Sequence, residues 1–336
     1  MDSGLKRRRE FQIGQKAICS LLFAICPFAI LFGLSSSLTM ALRLGAAVAV
    51  KMPGIASSLY EQTLCARIAA QRPLPAVSYL LLDTRTGQLL GERWDSPSGR
   101  IPVGSLVKPF AALAYAESHR FSYPVFLCRG NADGCWWPRG HGRIGMKNAI
   151  EGSCNAYFRQ LVREVSLEHL QFVIRSLGID GEPDPFSEQA LVGLGAGWPV
   201  TPVSIARAYC ALAARSEEPG VKELIQGMAL SARTGTGQAV SSAVPRTAFL
   251  VKTGTGPCVH SAPEAETRVG EEVWARLLDP NLGIEVHLSH GSGDGYAVVL
   301  WPADSPRYAL LLAVHGMPGA KAAAVCGEIL RAAGVE

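Results

Sequence analysis

The chain has 336 residues, and its 32 basic against 28 acidic side chains leave a net charge of +4. All of this excess lies in residues 1–50, because the rest of the chain holds 26 residues of each sign. Nucleic-acid binding needs a basic face on the folded domain, so the balanced body argues against it. With 48% hydrophobic and only 18% charged residues, the chain is also too apolar for a disordered protein.

The amino-terminal segment predicts membrane insertion. Four consecutive basic residues, Lys6 to Arg9, precede an uncharged apolar run at 17–34, which is close to the length that crosses a bilayer. Basic residues before such a run predict a cytoplasmic amino terminus. We therefore expect a cytoplasmic segment at 1–16 and a single-pass anchor within 17–50. A cleavable signal peptide is the alternative, and both place the body outside the cytoplasm.

The body reads as helices enclosed by strands. Residues 51–74 form a helical connector, and a β-hairpin follows at 76–93. Helices are then predicted at 105–120, 145–177 and 201–216. Short strands follow at 248–252, 295–301 and 307–314, and a last helix at 320–333. Strands at both ends with helices between them predict one α+β unit whose sheet both ends complete.

No metal or cofactor is predicted. The nine cysteines show no paired CxxC pattern, and His287 and His290 have no third ligand nearby. Cys128 and Cys135 flank a turn, where an oxidising compartment would permit a local disulfide; two free thiols are the equal alternative. The other cysteines, Cys154 among them, are interpreted as small hydrophobic residues.

Three short strings carry reactive side chains: Ser105 to Lys108 (SLVK), Ser153 to Asn155 (SCN) and Lys252 to Gly254 (KTG). Ser105 and Lys108 stand one helical turn apart, on one face. A serine hydroxyl needs a neighbouring base before it is a good nucleophile, and a desolvated lysine can serve. Taken alone, the first string is better explained by a helix-capping serine and a surface lysine; the ordered set of three favours chemistry.

These strings resemble the nucleophile, S-x-N and K-T-G motifs of penicillin-binding protein transpeptidases. Residues 104–110 (GSLVKPF) are similar to the family's G-S-x-x-K-P-F form. Further similar strings follow in family order, namely Cys135-Trp136, Gly140 to Gly142 (GHG), Ser153 to Phe158 (SCNAYF), Val200 to Tyr209, Gly227-Met228, Gly235 to Gly237, Asp294 to Tyr296 and Pro306 to Tyr308. The resemblance implies a catalytic domain at 75–336, built as an antiparallel sheet flanked by helices with a largely helical lobe.

The resemblance also implies roles for the reactive residues. Ser105 would be the acylated nucleophile and Lys108 its base. Ser153 would relay a proton towards the leaving amine, and Asn155 would hold the substrate amide. Such a set fits acyl transfer, which needs a nucleophile, a base and a proton relay.

The residues of the third string would bind substrate. Lys252 and Thr253 would hold the terminal carboxylate, and the N–H groups of Ser105 and Thr255 would form an oxyanion hole. At Gly254 the missing side chain would let the substrate backbone approach the strand edge.

The implied function is a peptidoglycan DD-transpeptidase that binds D-Ala-D-Ala stem peptides and β-lactams, with cell-wall synthesis proteins of the membrane as partners. The 51–74 connector leaves no room for the pedestal domain that such proteins usually carry. A D,D-carboxypeptidase is an alternative, and so is a β-lactamase, for which Glu188 would be the deacylating base although Val192 replaces the expected Asn. A non-catalytic β-lactam sensor or wall-assembly scaffold is a third.

Overall fold

A computed structural model describes residues 55–71, 77–258 and 293–336. The predicted cytoplasmic segment and membrane anchor, and also His287 and His290, lie outside these ranges. Within them, no helix combines the length and the apolar character that crossing a bilayer requires.

A five-stranded antiparallel sheet forms the centre of the fold. Its members are β1 (Val77–Asp83), β2 (Leu89–Arg93), β7 (Leu250–Pro257), β8 (Gly293–Trp301) and β9 (Tyr308–Val314), in the order β2-β1-β9-β8-β7. The register of β1 on β9 runs from Val77 opposite Val314 to Asp83 opposite Tyr308. The predicted α+β unit with a sheet completed by both ends of the body is therefore confirmed. Four short strands pair in two small ribbons, namely β3 (Ile101–Pro102) with β6 (Pro199–Val200) and β4 (Phe126–Cys128) with β5 (Gly142–Ile144).

Ten α-helices lie among the described residues. They are α1 (Ile55–Ala70), α2 (Lys108–Ser118), α3 (Met146–Glu151), α4 (Asn155–Leu161), α5 (Leu167–Leu177), α6 (Glu188–Val192), α7 (Pro202–Ala214), α8 (Val221–Thr234), α9 (Gln238–Ala243) and α10 (Gly319–Ala332). Local signals set several of their ends. Helix α7 begins where the Thr201 hydroxyl caps the Ser204 N–H ahead of a proline, and α5 ends at Gly178 in the left-handed conformation.

Alternation along the strands divides the core into two layers. Successive side chains of a strand point to opposite faces, so Leu80 and Leu82 pack with α2, α5 and α7, whereas Leu81 and Leu312 pack with α1 and α10. Strands β8 and β9 are buried along their whole length, because helices cover both faces. The first of these layers contains the helices that carry the predicted reactive residues.

The start of the predicted 105–120 helix differs in detail from the expectation. Gly104–Val107 form a 3₁₀ turn, and the α-helix begins only at Lys108. This turn lies backbone to backbone against β7: a Cβ on Gly254 would come 2.4 Å from the Val103 oxygen, and one on Gly104 would come 2.2 Å from the Thr255 oxygen. Gly104 also has a φ of 58°, which glycine adopts without strain. Glycines at these two positions allow the Ser105 turn to contact the edge strand.

We expect Gly254→Ala to destabilise the protein by about 2 kcal/mol, because overpacked sites must shift backbone. The Ser105 turn should move with it, so that labelling of Ser105 by a penicillin slows. Gly145→Ala is the control, since its Cβ would meet nothing nearer than Val125 at 3.9 Å. Urea denaturation of the full chain in detergent measures the stability of each variant. Equal stabilities for the two variants would contradict the packing role assigned to Gly254.

Candidate active site

Ser105 and Lys108 occupy adjacent turns where the 3₁₀ segment becomes α2. Ser105 is half-buried, whereas Lys108 is completely enclosed. The Tyr209 hydroxyl, from α7, donates to the Leu106 carbonyl at 2.8 Å and holds the turn from behind. Among the described residues, the Ser105 hydroxyl has no hydrogen-bond partner, so Lys108 is one turn away but not bonded to it. Catalytic hydrogen bonds are often long before substrate binds.

The Ser153 hydroxyl lies between two lysine ammonium groups. Its Oγ is 2.8 Å from the Lys252 Nζ and 3.4 Å from the Lys108 Nζ. Three strings that are far apart in the chain therefore meet at one oxygen. Ser153 has a φ of 49°, a left-handed conformation that costs a non-glycine residue on the order of 1 kcal/mol, and it is buried between α3 and α4.

Lys108 is held by oxygen acceptors and an aromatic face. Its Nζ donates to the Asn155 Oδ1 at 2.6 Å and to the Ser153 carbonyl at 2.9 Å, and it lies 5.4 Å from the centre of the Phe158 ring. None of these partners carries a full negative charge. Burial therefore dominates, and it lowers the pKa of Lys108 to about 7. A lysine with that pKa is neutral in a large fraction of molecules at physiological pH and can accept a proton.

Lys252, the third residue of strand β7, is equally enclosed. Its Nζ donates to the Thr253 carbonyl at 2.6 Å in addition to the Ser153 hydroxyl. Burial and the neighbouring positive charge of Lys108 hold its pKa well below the usual lysine range. An anionic ligand beside this pair would oppose both effects, because it would place an opposite charge next to the two lysines.

The substrate-binding predictions fall along the same strand. Thr253 is buried, and its hydroxyl donates to the Thr236 hydroxyl at 2.6 Å. Thr255 is exposed, and its Oγ1 accepts the Gly319 N–H at 2.9 Å. Gly254 is buried against the Ser105 turn, which gives its missing side chain a packing reason in addition to the predicted role in substrate approach.

Two residues of the site were not predicted as functional. Thr236 supports the Thr253 hydroxyl, and Tyr209 supports the Ser105 turn. Both belong to strings quoted for the resemblance, but nothing in their spacing connects them to the reactive serine. Only the fold brings the α7 helix and the end of α8 to the site.

Residues 80–330 match the family described as the penicillin binding protein transpeptidase domain. The chain belongs to that family. No curated protein sequence matches the chain significantly. The expected resemblance, including the antiparallel sheet flanked by helices, is thereby confirmed.

Solved penicillin-binding proteins share the fold. A Pseudomonas aeruginosa PBP2 in complex with WCK 5153 superposes with a TM-score of 0.59 at 16% identity, over 82% of this chain and 76% of that one. The apo transpeptidase domain of Burkholderia pseudomallei penicillin-binding protein 3 gives 0.58 at 17% identity, over 82% and 94%. A Helicobacter pylori PBP2 in complex with MreC gives 0.55 at 15% identity, over 81% and 61%. At these identities the likeness shows the fold alone.

Tyr209→Phe removes one hydrogen bond to the Ser105 turn, the one that the buried Leu106 carbonyl accepts from the hydroxyl. We expect a loss of about 1 kcal/mol of stability and a roughly fivefold slower labelling of Ser105 by penicillin. Tyr123→Phe is the matched control, because its hydroxyl donates to the Gly220 carbonyl at 2.9 Å away from the reactive residues. It should lose similar stability in urea denaturation and keep the labelling rate. Equal labelling rates in both variants would contradict the role of Tyr209.

Proposed function

We propose that the protein is a peptidoglycan DD-transpeptidase that forms an acyl-enzyme at Ser105 with stem peptides ending in D-Ala-D-Ala. One observation supports this most: a single hydroxyl, that of Ser153, bridges the buried Lys108 and Lys252. The bridge provides a path along which a proton can move from the nucleophile towards a leaving amine. Membership of the transpeptidase domain family agrees with it.

In the proposed reaction, neutral Lys108 takes the proton of Ser105 as its oxygen attacks the penultimate D-Ala carbonyl. The backbone N–H groups of Ser105 and Thr255 stabilise the oxyanion that forms. The proton then passes through the Ser153 hydroxyl to the leaving nitrogen, the C–N bond breaks, and terminal D-Ala departs. Ser105 is left as an ester. The amine of a second stem peptide attacks its carbonyl, the ester C–O bond breaks as the cross-link forms, and Lys108 passes the proton of the amine to the Ser105 oxygen.

The remaining residues hold the substrate. Asn155, whose Oδ1 accepts from Lys108, keeps its amide N–H groups for the peptide. Lys252 supplies the positive charge that the terminal carboxylate needs, and the Thr253 and Thr255 hydroxyls complete that end of the site. A β-lactam carries a comparable carboxylate and a strained amide, so it would acylate Ser105 by the same steps.

We also propose that the catalytic domain works outside the cytoplasm on a single-pass anchor, since most of the basic excess of residues 1–50 precedes the apolar run. Its partners would be membrane proteins of cell-wall synthesis. A Helicobacter pylori relative of the same fold was solved as a complex with MreC, which supports a partner of that kind.

The contacts of Glu188 disfavour the β-lactamase alternative. Its carboxylate pairs with the Arg159 guanidinium at 2.6 Å and with Arg163 at 3.3 Å. A deacylating base must be free to take a proton from water, whereas both carboxylate oxygens of Glu188 accept hydrogen bonds from arginine side chains. We therefore infer that Glu188 anchors α6 to α4 and does not turn over an acyl-enzyme.

Incubation of the full chain in detergent with a fluorescent penicillin tests the proposal. Intact-mass analysis should show one adduct that persists for hours and that Ser105→Ala abolishes. Glu188→Gln should leave the lifetime of the adduct unchanged. With a D-Ala-D-Ala peptide and an amine acceptor, mass spectrometry should find the transpeptidated product.

Each other outcome indicates a different function for this protein. Rapid loss of the adduct, prevented by Glu188→Gln, would indicate a β-lactamase. Hydrolysed peptide without any amine product would indicate a carboxypeptidase. A long-lived adduct without turnover of any peptide would indicate a sensor, and no adduct in folded protein would refute acylation itself.

A further inference from the structure

Four potential metal ligands meet directly behind the Ser153 loop. Cys128 ends strand β4, Cys135 follows the next turn, His141 precedes β5, and Cys154 lies between α3 and α4. Their ligand atoms all lie within 4.8 Å of one another. The three cysteines are buried free thiols, so the disulfide considered for Cys128 and Cys135 is not formed.

Three of the six distances among these atoms match those of a tetrahedral zinc centre. The sulfurs of Cys135 and Cys154 are 3.8 Å apart, and the His141 Nδ1 is 3.5 Å from the Cys135 sulfur and 3.6 Å from the Cys128 sulfur. Around a zinc ion with Zn–S bonds of about 2.3 Å and Zn–N bonds of about 2.0 Å, tetrahedral geometry places two sulfurs about 3.8 Å apart and a sulfur and a nitrogen about 3.5 Å apart. A disulfide would need its sulfurs at about 2 Å.

We propose that Cys128, Cys135, His141 and Cys154 bind one zinc ion. Three thiolates and one imidazole are a donor set that selects zinc over calcium or magnesium. Since all four positions come from the protein, no ligand position remains for substrate or water, and the ion would be structural. This assignment stands without the proposed transpeptidation; only its expected effect on acylation rests on that function.

The surroundings of His141 fix the imidazole in place. Gly152 leaves room for it, because a Cβ there would come 2.7 Å from the His141 Nε2. The Trp136 indole lies against the same imidazole, with ring centres 6.0 Å apart, and its N–H donates to the Gly152 carbonyl at 2.9 Å. This gives the exposed Trp136 a role in covering the cluster. Residues that orient a ligating histidine commonly strengthen metal binding.

The position of Cys154 connects the ion to the proposed chemistry. Cys154 lies between Ser153, which bridges the two lysines, and Asn155, which binds Lys108. A zinc ion on its sulfur would join the Ser153 loop to the β4–β5 ribbon through Cys128 and His141. It would thus hold Ser153 in its left-handed conformation without taking part in any bond-making step.

Metal analysis of the full chain, purified in detergent with zinc present, tests the site. Mass spectrometry for metals should find one zinc per chain. Cys128→Ser and Cys154→Ser should each weaken zinc binding by at least about tenfold. Serine at 154 can still cap the Tyr157 N–H that the sulfur now accepts, which favours correct folding. Cys326→Ser, a buried thiol of α10 outside the cluster, is the matched control and should keep the zinc.

Two further readouts separate this proposal from the proposed function. Cobalt(II) in place of zinc should give the intense visible bands of a tetrahedral ion together with a thiolate charge-transfer band. Removal of zinc from the unmutated chain by a chelator should slow penicillin labelling on the order of tenfold, and added zinc should restore it. If the protein binds zinc but no penicillin labels it, acylation is refuted and the proposed metal site is supported.

Either of two results would overturn the zinc site. One is folded protein that holds no stoichiometric zinc and shows no thiolate band with cobalt. The other is a disulfide between Cys135 and Cys154, found by peptide mass spectrometry in protein purified with zinc.

Discussion

The burial of two lysines around one serine hydroxyl is the constraint on which the rest of the site depends. Neither Lys108 nor Lys252 is solvent-exposed, and no carboxylate is hydrogen-bonded to either among the described residues. Desolvation of an ammonium group without an opposite charge favours the neutral form. In the proposed reaction, the same burial would make Lys108 a base near neutral pH and prepare Lys252 for an anion. Ser153 lies where a proton can pass between these groups, and this explains why a non-glycine residue is held in a left-handed conformation there.

Burial of the Lys108 and Lys252 pair costs free energy, so the surrounding fold must hold both lysines rigidly. Helix α2 brings Lys108, the edge strand β7 brings Lys252, and the loop between α3 and α4 brings Ser153. The 3₁₀ turn that precedes α2 lies backbone to backbone against β7 at Gly104 and Gly254. The Ser153 loop would be fixed by a zinc ion behind it, where the ligand atoms of Cys128, Cys135, His141 and Cys154 lie within 4.8 Å of one another. In this account the zinc site and the acylation site are two sides of one loop.

Much of this could be predicted from the sequence, for reasons that also set the limit. Apolar runs and turn residues located the hairpin, the last two strands and helices α7 and α10, because periodicity and turn chemistry are local properties. The S-x-x-K, S-x-N and K-T-G strings indicated, through resemblance, residues that the fold brings together at the Ser153 hydroxyl. Contacts between distant segments left no local trace. The sequence indicates only a small core residue at Cys154, because Cys128, Cys135 and His141 follow no paired spacing. Likewise, the hydrogen bond from the Tyr209 hydroxyl to Leu106 joins residues that only the fold makes neighbours.

The pH dependence of Ser105 acylation tests most directly whether buried, neutral Lys108 is the base. The second-order rate of labelling by a fluorescent penicillin, measured on the full chain across the pH range in which it stays folded, should rise as Lys108 loses its proton. The account predicts a rate that increases with pH, with a midpoint near the Lys108 pKa of about 7, and then levels off. A rate that keeps rising towards the ordinary lysine value of 10.5, or that does not change with pH, would contradict it.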